Sequence, residues 1–63
     1  MIKVTDSDDL VTWLAVSAIA AVREAASTDK NLAYVRLLDG TEYPSYRRSA
    51  VRLAQDIELE VNK

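Results

Sequence analysis

Ile2-Lys3-Val4-Thr5 alternates apolar with polar and predicts a short, half-buried strand. Asp6-Ser7-Asp8-Asp9 then predicts a turn, because Asp and Ser side chains bond nearby backbone amides. Residues 32–46, LAYVRLLDGTEYPSY, place two apolar-rich runs on either side of Asp39-Gly40, a strong hairpin signal. A two-residue turn would set Leu37 opposite Glu42 and Val35 opposite Pro44. A three-residue turn over Leu38-Asp39-Gly40, with a glycine bulge, instead sets Leu37 opposite Thr41, Arg36 opposite Glu42 and Val35 opposite Tyr43. The second register gathers Ala33, Val35, Leu37 and Tyr43 on one face and pairs Arg36 with Glu42 on the other, so it is the one predicted. Pro44 cannot donate to a ladder, which puts its strand at an edge or near its end.

The pattern over residues 10–26 is harder to read. Alanines favour a helix, Ser7 would serve as its N-cap, and Asp8 and Asp9 would suit the positive end of its dipole. Yet from Leu10 to Val22 only Thr12 and Ser17 are polar, so that helix would be apolar almost all round, and so small a protein cannot surround it. The alternative is two strands, Thr12-Trp13-Leu14 and Ile19-Ala20-Ala21-Val22-Arg23, with a turn near Val16-Ser17. Residues 49–60 are a clearer helix. Ala50, Leu53, Ala54, Ile57 and Val61 recur at helical spacing, and Ala50, Leu53, Ala54 and Ile57 are predicted to pack on the face bearing Val35 and Leu37.

Composition narrows the chemistry. The 63 residues make one domain, 1–63, whose core is marginal at this size. There is no cysteine and no histidine, which excludes disulfides, thiolate zinc sites and the common nucleophile and base arrangements. No catalytic motif and no cofactor site is expected. Association with a second copy, most simply as a dimer, is the stabilising device left. Asp6, Asp8 and Asp9 lack the ligand spacing and the glycine of a calcium loop and read as turn residues. Glu58 and Glu60 do not share a helix face and read as solvated charge. The acidic start is wrong for a signal peptide, and the apolar run over 13–22 is too short to span a bilayer. With the lack of cysteine, this makes a cytoplasmic location without membrane contact the expectation.

The net charge is −2, but it is unevenly spread. Residues 1–31 and 55–63 are each net −2, whereas residues 32–54, with Arg36, Arg47, Arg48 and Arg52, are net +2. Those arginines, with Trp13 and Tyr46, are the candidate partner-binding residues. Aromatic and cationic groups together suit stacking and phosphate contact. The plainer reading keeps Tyr43 in the core, Tyr46 half-buried and the arginines solvated near the helix start, with Trp13 in the core or at a subunit contact.

Trp13-Leu14, Ile19-Ala20-Ala21-Val22, the run Val35-Arg36-Leu37-Leu38-Asp39-Gly40-Thr41-Glu42-Tyr43, and Ser49 ahead of an apolar-spaced helix together resemble the short FlbD-type flagellar protein family and its small relatives. More distantly, the chain is similar to LytTR-type DNA-binding domains in strand order. The resemblance implies strand over residues 10–24, and no enzymatic activity or cofactor. The LytTR likeness implies DNA contact but transfers no base-reading residue. The fold expected is α+β, a small antiparallel sheet with the Asp-Gly hairpin at 32–46, followed by one C-terminal helix; the alternative is β-α-β-β-α. The function expected is a small non-enzymatic protein-interaction module that self-associates. Two other readings are a nucleic-acid-binding accessory protein using the local Arg/Tyr patch, and an inhibitor or adaptor docking on a single host or phage protein.

Overall fold

The computed structural model describes residues 1–63. Two antiparallel sheets precede one helix. Strands β1 (Ile2–Thr5) and β2 (Val11–Leu14) form a hairpin in which Ile2 faces Leu14 and Lys3 faces Trp13. A single 3₁₀ turn, Val16–Ala18, leads into β3 (Ile19–Glu24), which starts a meander with β4 (Ala33–Leu37) and β5 (Glu42–Ser45). Helix α1 (Ala50–Val61) closes the chain. The α+β reading holds, and the β-α-β-β-α alternative does not. Residues 10–24 are mainly strand despite their alanines, because strand geometry turns Leu14 inward and half-buries Ile19 and Val22. One continuous helix would have left most of that apolar surface uncovered.

Both hairpins turn in the same way. Gly40 N–H donates to Leu37 O and Leu37 N–H to Thr41 O; likewise Asp9 N–H donates to Asp6 O and Asp6 N–H to Leu10 O. Each is a three-residue loop whose last residue adopts a positive φ, 91° at Gly40 and 63° at Asp9. The bulged register predicted for the second hairpin is the one found: Arg36 faces Glu42 and Val35 faces Tyr43. Tyr34 and Pro44 form a non-hydrogen-bonded pair, so the missing Pro44 N–H costs the β4 ladder nothing. The expected Arg36–Glu42 ion pair does not form. Glu42 instead accepts from Arg23 Nε at 3.0 Å, and Arg23 lies over the Tyr34 ring, 4.5 Å from its centroid. Arg23, brought in by β3, takes the carboxylate that a two-strand view assigned to Arg36.

The core is Ile2, Val4 and Leu14 from the first hairpin, Ala33 and Val35 from β4, and Leu53 from α1. Tyr46 N–H donates to Thr5 O at 2.8 Å, bringing the end of the meander against β1. Only residues 15–18 join β2 to β3, so the two sheets must curl towards each other around Leu53. Ser49 caps α1, its hydroxyl accepting from Arg52 N–H at 3.2 Å. The packed stripe is narrower than predicted, losing Ala54. Ala50, Leu53 and Ile57 meet the sheets, but Ala54 and Val61 are exposed, since a narrow sheet covers only one row of the helix. Trp13 is 60% exposed and takes no part in the core.

Candidate functional site

Three surface features follow from this fold. The first is a cationic cleft of about 800 Å³ at the start of α1, where Lys3 and Thr5 on β1 meet Arg47, Arg48 and Arg52, with Asp9 at one wall. The segment ahead of the helix is held by Ser45, whose buried hydroxyl donates to Arg48 O at 2.8 Å and accepts from Arg48 N–H. Arg48 pairs with Asp56 at 3.3 Å, and Arg47 Nε donates to Asp9 at 3.2 Å. That hydrogen bond raises the Arg47 pKa further. Lys3 and Arg52 have no acidic partner. The ionic lining, four cations against Asp9, is net +3 in a chain of net −2.

The arginines predicted from sequence therefore divide. Arg47, Arg48 and Arg52 converge; Arg36 lies on β4 and does not line the cleft, nor does Tyr46, whose backbone serves the β1 contact. Trp13 lines an adjoining cleft of about 680 Å³ that shares Lys3 and Arg48 with the first. Sequence reasoning missed Lys3 and Asp9. Alternation in β1 signals that Lys3 points outward, but only the tertiary fold sets it beside Arg48.

Of the four sheet edges, those of β1 and β5 approach each other through Tyr46 N–H and Thr5 O, and the second feature is the other two, the open edges of β2 and β3. Asp6 N–H bonds Leu10 O, so alternation makes Val4–Thr12 and Ile2–Leu14 the hydrogen-bonded pairs. Val11 and Trp13 then aim their backbone groups at the open edge. This edge has no bulge, no proline and no charge, and Leu10, Val11 and Trp13 are all exposed along it. The β3 edge is guarded: its register shifts at Ala20, and Arg23 and Glu24 are exposed, Glu24 on the face of buried Ala33.

The third feature is a shallow apolar hollow of about 430 Å³ between β3 and α1, where exposed Ala54 meets Val16, Ile19 and Val22. The acidic turn is not a fourth. Asp6 spends Oδ1 on the amides of Asp8 and Leu10, and Asp9 faces Arg47, so the three carboxylates do not converge. No helix is long and apolar enough to cross a membrane. Comparison of the chain with protein-family models, curated proteins and solved structures finds no match in any of the three.

Proposed function

We propose that the protein is a small non-enzymatic, cytoplasmic interaction module that self-associates as a dimer through the open edge of β2. The observation that carries this reading is the contrast between the β2 and β3 edges. The β3 edge has the bulge and charges that discourage strand pairing, whereas β2 has neither. A two-fold axis perpendicular to the sheet keeps outward residues facing outward and pairs edge-directed backbone groups with each other. Both conditions are met when Val11 faces Trp13 of the second copy and Thr12 faces its own equivalent. Leu10 then meets Leu14 of the partner. Aromatic–β-branched and Thr–Thr cross-strand pairs contribute roughly 0.2–1 kcal/mol each. A four-residue strand buries little area, so the dimer belongs to the weak, concentration-dependent class.

Sedimentation over a wide concentration range tests the reading. The wild-type protein should pass from monomer to dimer. Val11→Glu with Trp13→Glu puts like charges opposite each other and should hold the monomer. Mixing that variant with one carrying Val11→Lys and Trp13→Lys should restore association. Ala54→Glu, in the apolar hollow, should leave the mass unchanged. A wild-type monomer at every concentration would refute the reading.

A further inference from the structure

The cationic cleft borders the first sheet: Val11 of β2 is part of its wall, and Trp13 lines the adjoining cleft, so the site abuts the β2 edge while its cations lie on β1, α1 and the segment before the helix. We propose that it binds the phosphate backbone of a single-stranded nucleic acid, with a base stacked on Trp13. Lys3 and Arg52 are uncompensated cations on two different elements facing one open cleft. Arg48 borders both this cleft and the adjoining one that holds Trp13. The guanidinium groups offer planar, forked donors that match phosphate oxygens.

Trp13 decides between a nucleic acid and an acidic peptide. It sits directly across the ladder from Lys3, in a non-hydrogen-bonded pair, where side chains lie closest. An indole 60% open to solvent and flanked by a cation gives a base both a stacking face and a nearby phosphate contact. An acidic peptide would use the cations and leave the indole idle. Stacking also needs an unpaired base, which favours a single strand over a duplex. Asp9 acts as an internal competitor, holding Arg47 in place of a phosphate.

Trp13 is the only tryptophan, so its fluorescence reports the proposed contact directly. Titration with a short oligothymidylate at low salt should quench it. The logarithm of the binding constant should fall linearly with the logarithm of salt, with a slope of about −2 for three neutralised phosphates at ~0.7 each. Arg52→Ala should weaken binding several-fold and make the slope shallower by about 0.7, while leaving the concentration dependence of the mass unchanged. Asp9→Asn frees Arg47 and should tighten binding; asparagine tolerates the positive φ at this turn. Several results would overturn the proposal: no binding at low salt, binding without quenching, indifference to Arg52→Ala, or equal or tighter binding of polyglutamate or duplex DNA. Because Arg52 lies on α1 and contributes nothing to the β2 backbone edge, Arg52→Ala separates loss of this activity from loss of the dimer.

Discussion

The two hairpins turn on the same three-residue plan, yet one places Gly40 and the other Asp9 at the left-handed position. Gly40 adopts a positive φ without steric cost, and a methyl group added there would meet no atom within 4 Å. Its role is conformational alone. Asp9 adopts a conformation that costs most L-residues energy and in return projects a carboxylate onto Arg47, tying the first turn to the segment that leads into α1. The same backbone thus serves as a plain reversal in one hairpin and as a tether across the molecule in the other. The side-chain acceptor differs as well: Asp6, before the first loop, bonds the amides of Asp8 and Leu10, whereas Asp39, inside the second, bonds Thr41 N–H at 2.8 Å.

The largest effect should come from removing what the two hairpins share. Leu53 is fully buried among residues of both, so Leu53→Ala should cost about 2–5 kcal/mol in denaturant unfolding. A loss of only about 0.5 kcal/mol, the scale of a surface substitution, would mean that the helix does not join them. Next comes Gly40→Ala, expected to cost about 1–2 kcal/mol from backbone strain, because no clash contributes. Asp9→Gly should shift stability by less than about 1 kcal/mol, relief of backbone strain opposing loss of the Arg47 contact. A large loss there would reveal the tether as the stronger term.

The smallest effect is a titration. Asp39 is held below the usual aspartate range by the Thr41 amide, and Asp29 by the Tyr34 hydroxyl, which donates to it at 2.6 Å. A lowered folded-state pKa gives stability that is present above the ordinary carboxylate value, about 3.9, and lost as pH falls through the folded value. Carboxyl NMR should place both midpoints below that value. Tyr34→Phe should bring the Asp29 midpoint back towards it and leave Asp39 unchanged.

Residues close in sequence carried the readable part of the structure. The bulged Asp-Gly turn followed from Gly40 and from the faces set by Val35 and Tyr43. Helix α1 followed from Ser49 and the spacing of Leu53 and Ile57. Over 10–24 the alanines and the apolar pattern left helix and strand both open, and only the lack of a core to surround an all-apolar helix, with the family-like spacing, leaned towards strand. What escaped was what distant segments assemble. Arg23 displaces Arg36 at Glu42 only because β3 lies beside β4. Lys3 joins Arg48 and Arg52 only because β1 runs along the helix. Local propensity contains no term for either juxtaposition.

The position of Leu53 has a consequence for the order of assembly. The other core residues lie at 2, 4, 14, 33 and 35, so every strand is complete before the side chain that centres the core has been made. Each hairpin can reverse by itself, but neither has a full apolar surface to close over until α1 emerges. During synthesis the chain therefore waits for its last element, with the β2 edge and the inner faces of both sheets open to whatever meets them first.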